Sequence, residues 1–532
     1  MRYIQNSASL TLGEQTETQI NLFLQFFIHP NQERYEEIKF CLKANVMNPL
    51  IQYIYLLNEN QKNGTYRPFT EEELGISSEK IIQIPLGHRL MYSDVFKFAH
   101  QMNCHGYNVL ANSDIFFDDS LANILKSNMD QTPIMMCQLR YEYDGTPTGI
   151  KIFGPRPDSQ DAWLWHSKWT NKLLNKKAFH FQLGQAGCDN HITYLFKISG
   201  FALVNDPQLV HCLHYHKTQI RDYKQKDAIK PPYMLVQPLN ASASYNKDIS
   251  FEDNEVLINY IREKGDKPYI IPRVAGIENI SCFNIDVTNN PIRYDVLKNN
   301  AGVSITSRSS MKLYALQYYD AFENCDIYTG WSKNHEDNVY SGLNVSQDYI
   351  QNEMYKEKKK IWAHALDVFE YINYTPWTLA LEGKRLLIIS SFVESFKTKL
   401  SVLDKIYGRE IFKNNTFVFL KPPMLNGSNP SKEWHLELEK FSLEIDKLRD
   451  EYDVALVSCG GLGNMVCNHI YNSGKQAIYT GAVLQMYFGV YGNRWLTERS
   501  SIMKMFLNSH WSRPLESERP EGWKAVEGGC YF

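Results

Sequence analysis

Asp114 stands just past a short apolar run, Val109-Leu110-Ala111, in the order Asn112-Ser113-Asp114, and Asp118 and Asp119 close the loop that follows. A buried strand ending in a carboxylate can hold a divalent cation, Mn2+ or Mg2+, and such an ion offsets the concentrated charge of a diphosphate. The same residues also suit a plain strand end with an acid capping the next helix. Further on, His214 and His216 alternate in the run His211-Cys-Leu-His214-Tyr-His216. On an extended segment a spacing of two puts both imidazoles on one face. There one could complete the ion's shell with Asp114, or both could be hydrogen-bonded structure.

Two further acids have the setting of proton-transfer groups. Asp189 follows the glycine-rich stretch Gly184-Gln-Ala-Gly187-Cys188 and opens the apolar pattern 190–196, so it falls on the first turn of a helix. It is either an N-terminal cap or a general base for an acceptor hydroxyl in an inverting transfer. A loop passing from apolar to polar surroundings is expected to keep its pKa low enough for ionisation at neutral pH. Asp161 lies in Asp158-Ser-Gln-Asp161-Ala-Trp163, a composition that turns also favour.

Near the C-terminus, Val454-Ala-Leu-Val-Ser458 runs into Cys459-Gly460-Gly461-Leu-Gly463-Asn464. A strand, a glycine-rich turn and a helix start let backbone amides approach a phosphate. The other reading is tight strand–helix packing. A dinucleotide fingerprint fails, because Tyr479-Thr-Gly481 stands where the ribose-binding acid belongs. Gln485 and Arg494-Trp495 follow, offering an Arg for a diphosphate and an aromatic for a ring. The tail, with Glu527-Gly-Gly-Cys530-Tyr-Phe532, has the aromatic and glycine content of a segment that packs back on its domain.

These groups need a scaffold of alternating strands and helices. At 532 residues with 43% hydrophobic and 22% charged residues, the chain has the material for two to four globular domains. Apolar runs at 20–28, 51–57 and 81–84, with helical patterns at 33–43 and 93–102, give a β-α-β order and a mostly parallel sheet. The loops after such strands, where Glu59 and Asp114 fall, are where ligands bind. The polar stretch 237–249 reads as a linker between a domain at 1–236 and another at 250–532. In the latter, 348–374 reads as helix-rich with a solvated charged run at 356–360. A second α/β pattern then covers 383–532, with strands at 385–390, 416–420, 454–458 and 476–479 and a helix at 434–452. A net charge of −3 argues against general nucleic-acid binding. No stretch is long and apolar enough for a membrane span or signal peptide. Ten cysteines without paired spacing suit a reducing compartment, hence a cytoplasmic protein. Whether it is a monomer or a homo-oligomer stays open.

The first ~240 residues resemble a glycosyltransferase domain found in large DNA viruses and bacterial polysaccharide clusters. The resemblance is carried by Gln25-Phe-Phe, Leu56-Leu-Asn-Glu59, Arg89 to Asp94, Asn112-Ser113-Asp114, Asp161-Ala-Trp163, Gly187-Cys-Asp189-Asn190 and His214-Tyr-His216. It implies a reduced GT-A fold, a nucleotide-sugar donor and a metal-binding Asp motif, here with Asn at position 112. It also implies substrate contacts from Gln25, Glu59, Arg89, Asn112, Ser113, Trp163 and Asn190. Residues from about 250 onward are similar to the GT-D type of glycosyltransferase, through Arg273-Val-Ala-Gly276-Ile-Glu278 and the tail. That type uses an Asp-x-Glu, of which only Glu278 is present. Glu278 is then the implied catalytic acid, with Arg273, Gly460, Gly461, Gly463, Asn464, Gln485, Arg494 and Glu527 as donor contacts. The joint expectation is a bifunctional glycosyltransferase with two Rossmann-like α/β domains that builds a glycan or surface polysaccharide. The alternative is one catalytic module fused to a glycan-binding or scaffolding module.

Overall fold

The computed structural model describes residues 2–3, 16–59, 61–62, 65–175, 177–220, 227–239, 251–331, 342–423, 425, 432–520, 522–526 and 529–532. The chain divides into two units, Met1–Asn246 and Lys247–Phe532. Both are mixed α/β with largely parallel sheets, as the periodicity predicts. Most of the expected linker falls at 240–250, outside the described residues.

In chain order the first unit contains β1 (Arg2–Tyr3), β2 (Ile20–Phe26), α1 (Gln32–Met47), β3 (Ile51–Asn58), β4 (Ile81–Pro85), α2 (Tyr92–Gln101) and β5 (Tyr107–Ala111). There follow β6 (Ile115–Phe117), β7 (Ile134–Gln138), β8 (Arg140–Tyr143), β9 (Ile150–Ile152), β10 (Ala162–His166), α3 (Cys188–Ile198), β11 (Ala202–Val204) and β12 (Cys212–His214). The main sheet has the order β1-β4-β3-β2-β5-β10-β7-β11. Strands β1 to β5 pair in parallel, whereas β10 is antiparallel to both β5 and β7. That antiparallel insertion brings the start of β10 beside the end of β5, with Ala162 opposite Ala111. A smaller sheet, β9-β8-β12-β6, carries His214.

Strand β2 is buried along its whole length and β3 at all but Gln52, as expected of strands covered on both faces. Helix α1 starts at Asn31, whose side chain accepts from Arg34 N, and it buries Tyr35, Ile38, Leu42 and Val46 against the sheet.

The second unit contains α4 (Asp253–Lys264), β13 (Ile270–Ile271), α5 (Gly276–Phe283), α6 (Arg308–Glu323), β14 (Ile327–Gly330) and β15 (Lys359–Trp362). It continues with β16 (Arg385–Ser390), β17 (Thr416–Leu420), α7 (Trp434–Lys447), β18 (Val454–Ser458), α8 (Gly463–Asn472) and β19 (Gln476–Tyr479). Its main sheet, β13-β19-β18-β16-β17, is parallel throughout. The charged run at 356–360 is not a helix face. Its last two lysines open β15, which pairs with β14 because Ile361 has a buried place there. A helix over Leu343–Tyr349, continued to Met354, precedes the run, and short 3-10 turns follow it. Helix α7 stops at Lys447, five residues before the predicted end.

All ten cysteines are free thiols. Cys41, Cys137 and Cys467 are buried, and Cys459 is half-buried. No helix among the described residues is long and apolar enough to cross a membrane.

Candidate functional site

In the first unit a cavity of about 700 Å3 lies at the carboxyl edge of the parallel strands. Gln25 reaches it from β2, Glu59 from just past β3, and Asn112, Ser113 and Asp114 from just past β5. Trp163, Asp161, Asp189, Asn190, Arg89, His214 and His216 complete its wall. Gln25, Glu59 and Asp114 share one wall because parallel strands end at the same edge, and the antiparallel β10, helix α3 and the smaller sheet bring the other residues to it.

Asp114, His214 and His216 form a buried group whose ligand atoms lie within 4.8 Å of one another. His214 Nε2 is 3.1 Å from Asp114 Oδ2, and His216 Nδ1 is 3.6 Å from the same oxygen. His214 Nδ1 lies 2.8 Å from Glu142 Oε2. Asp114 also pairs with Arg34, whose Nη1 donates to Glu37 at 2.9 Å. Burial alone would raise the Asp114 carboxyl, but His214 and Arg34 outweigh it and hold it well below the usual range. Burial works against the charged form of His214, yet Asp114 and Glu142 raise its pKa to about 9. Burial and the nearby Arg34 push His216 the other way, to about 4, so that imidazole is neutral at pH 7.

The donor set fits a divalent cation. His216 is 8% exposed, and its Nε2 is buried with no hydrogen-bond partner among the described residues. A buried, neutral imidazole nitrogen left unsatisfied needs an explanation, and a metal ligand is one.

Across the cavity, Asp161 is held on both oxygens: Asn112 Nδ2 donates to Oδ1 at 3.0 Å and Arg140 Nη1 to Oδ2 at 3.0 Å. Asp189 sits on the first turn of α3 and takes a bond from Asn190 N at 3.0 Å. Its carboxylate opens on the cavity but is hemmed in elsewhere. Burial and the charge of Asp161 raise its pKa to about 6, above the usual carboxylate value yet low enough for ionisation at neutral pH, as expected. Gly187 precedes the helix with φ of 75°, and a Cβ there would come within 2.8 Å of Tyr233 Oη. Glycine is therefore required for this entry to the helix.

Gln25, Glu59, Arg89 and Asn190 of the wall are tied into the fold. Gln25 Nε2 donates to Glu59 Oε1 at 2.6 Å, and Leu90 N donates to the same oxygen at 2.6 Å. Arg89 donates to the carbonyls of Leu183 and Gly184, tying down the glycine-rich loop. Ser113 is buried beside Asp114. Trp163 is 1% exposed, and its buried Nε1 has no partner among the described residues. Asn190 Nδ2 donates to Asp158 O at 3.3 Å.

Sequence reasoning missed Arg34, Arg140 and Glu142. Arg140-Tyr-Glu142 had a usable signal, since two charges at period two on a strand share a face. Arg34 lies in the helical pattern at 33–43, and only the fold aims it inward.

In the second unit, a cavity of about 240 Å3 is lined by Arg273, Glu278, Gly460 and Arg494 together with Asp367 and Arg499. Gly461, Gly463, Asn464 and Gln485, also expected as donor contacts, are not on its wall. A Cβ on Gly461 would meet Val303 Cγ2 at 2.3 Å, and one on Gly463 the Tyr479 ring at 2.4 Å. These two glycines permit close packing. Asn464 exchanges two hydrogen bonds with the Arg273 backbone. Gln485 bridges Trp495 Nε1 and Tyr531 O. Glu527 lies outside the described residues.

No family model matches the chain, and no curated protein matches it. Among solved structures, the chain is similar to the mannosyltransferase PcManGT of Pyrobaculum calidifontis, in complex with GDP-Man and Mn2+, at 10% identity and a TM-score of 0.27. The match covers 38% of this chain and 58% of that enzyme's length. A glycosyltransferase (DUF1792) of Streptococcus sanguinis is matched at 11% identity and a TM-score of 0.26, over 51% of this chain and 96% of that one. The glycosyltransferase GlyE of Streptococcus pneumoniae is matched at 10% identity and a TM-score of 0.21, over 91% of this chain and all of that one. All three are glycosyltransferases, and similarity of this size assigns no family to the chain.

Proposed function

We propose that this chain is a glycosyltransferase that moves sugars from nucleotide-sugar donors to a growing glycan or surface polysaccharide, with the metal-dependent site in its first unit. One observation carries the reading. A buried Asp–His–His group with an unpartnered imidazole nitrogen shares one strand-edge cavity with a carboxylate whose pKa lies near 6.

Asp114, His214 and His216 would hold Mn2+ or Mg2+. When bound, the ion neutralises charge on the departing diphosphate. Asp189 accepts the proton of the acceptor hydroxyl as the new glycosidic C–O bond forms. The bond from the sugar to the diphosphate breaks, and its electron pair leaves with the phosphate oxygen, so the anomeric centre inverts. Asp161, fixed by Arg140 and Asn112, raises the basicity of Asp189. Gln25, Glu59, Arg89 and Trp163 shape the rest of the wall for the donor. The second unit is read as another nucleotide-sugar module, which makes the protein bifunctional. Its free thiols suit the cytoplasm.

The competing reading, in which the second unit is a non-catalytic glycan-binding or scaffolding module, has its own support. Gly461, Gly463, Asn464 and Gln485 all serve packing or backbone contacts. A panel of nucleotide-sugars hydrolysed by the full chain, with Mn2+ or EDTA, tests the main reading. Asp114→Asn should abolish Mn2+-dependent hydrolysis, and full activity of that variant in EDTA would overturn it.

A further inference from the structure

All strands of the second unit's main sheet are parallel, so β13, β16, β18 and β19 end at one edge. The chain leaves β16 for β17 on one side and returns to β18 on the other. The crevice between β16 and β18 is thus the place where strand order reverses, the preferred ligand position in open α/β sheets. The cavity opens there, with Ser390 at the end of β16, Ser391 just past it and Ser458 at the end of β18.

Three guanidinium groups line it, and each is held by the fold. Arg273 Nη1 donates to Thr480 O at 2.6 Å, and its guanidinium lies 4.8 Å from the Trp331 ring centre. Arg494 Nη1 reaches Tyr531 Oη at 3.1 Å, and its Nε donates to Glu498 at 2.8 Å. Arg499 Nη2 lies 3.1 Å from each ring nitrogen of His364 and 3.6 Å from Asp367 Oδ2.

His364, Asp367 and Glu370 are buried, with ligand atoms within 4.8 Å of one another. Their spacing of three matches the 3-10 turns that carry them. By composition this trio could hold a metal. Arg499 already supplies a permanent positive charge to it.

The buried atoms without a partner differ between the two cavity walls. In the first they include the imidazole nitrogen His216 Nε2, a cation ligand, beside Trp163 Nε1, Gln160 Oε1 and Asn190 Oδ1. In the second, among the described residues, it is Arg499 Nε, a donor. An orphaned guanidinium N–H asks for an anion. Asp367 lies within electrostatic reach of all three arginines, and Glu278 and Glu498 line the same wall. Guanidinium forks match phosphate oxygens in pairs.

We propose that the second unit binds a diphosphate-bearing ligand through Arg273, Arg494 and Arg499, without a divalent cation. This deepens the second-module reading and rests on it only for the nucleoside part of the ligand. The shared chemistry is the phosphate group, which a nucleoside diphosphate or a simpler phosphate could supply.

The test is calorimetric titration of the full chain with pyrophosphate, inorganic phosphate, UDP and GDP, in EDTA and in Mn2+. Binding of pyrophosphate in EDTA is expected, weakened on the order of tenfold or more by Arg273→Gln or Arg499→Gln. Arg499→Lys, which keeps the charge and guards against a folding defect, should weaken binding less than Arg499→Gln. Mn2+-dependent hydrolysis by the first unit should survive these substitutions. Tighter binding of UDP or GDP than of pyrophosphate makes the ligand a nucleotide, and equal binding makes it a simpler phosphate compound. Failure to bind any of them in EDTA, or EDTA-resistant binding that folded arginine variants leave unchanged, overturns the proposal. Absence of Mn2+-dependent hydrolysis in the wild type would instead sink the first-unit reading and leave this result standing.

Discussion

Glu142 Oε2 lies 2.8 Å from His214 Nδ1, on the side of the ring opposite Asp114. A carboxylate behind a histidine fixes the ring's orientation and tautomer and so aims Nε2 at the cavity. Glu142→Gln should leave the fold intact and weaken Mn2+ binding roughly 10- to 100-fold. Isothermal titration with Mn2+ reads this directly, and an unchanged affinity would show that His214 does not ligate.

Arg34 and Asp114 form a buried pair, each side chain about a tenth exposed. Arg34→Gln leaves Asp114 with a lost partner, and breaking a buried pair costs about 3–5 kcal/mol. The same change removes the cation that competes for Asp114 Oδ2. Denaturant melts should therefore show lower stability without Mn2+ and a larger Mn2+-induced recovery than in the wild type. Equal recovery in both proteins would mean that ion and guanidinium do not compete.

The Asp189 pKa near 6 has consequences for both rate and stability. As a base it works only when ionised, so turnover should fall as pH drops through about 6. Asp189→Asn should lower the rate by ~10² to 10⁴ and remove that acid limb. For stability the sign is opposite to that of a salt-bridged acid. The folded state binds the proton more tightly than the unfolded chain, so this group's contribution is present at low pH. It is lost as pH rises from the unfolded value of about 4 through 6. Asp189→Asn should thus melt higher than the wild type at pH 7, and a lower melting temperature would contradict the assigned shift.

Gly461 packs against Val303, and Gly463 against the ring of Tyr479. Gly461→Val should destabilise the second unit by about 1–3 kcal/mol through overpacking. If ligand binding is lost while the melting curve is unchanged, the glycine contacts ligand after all.

The strands of both α/β sheets were legible from sequence, because buried parallel strands are short apolar runs bounded by turns. The predicted limits at 385–390, 416–420, 454–458 and 476–479 match β16, β17, β18 and β19. The strand-edge position of Asp114 and the shared face of His214 and His216 also followed from local pattern. Tertiary structure alone decided the rest. Whether a glycine frees space for a ligand or for a neighbour depends on what the fold places opposite it, here Val303 for Gly461 and the Tyr479 ring for Gly463. Arg34, Arg140 and Arg499 became part of their cavities only through long-range pairing with Asp114, Asp161 and His364. A charge's partner is a matter of distance in space, which no local periodicity encodes.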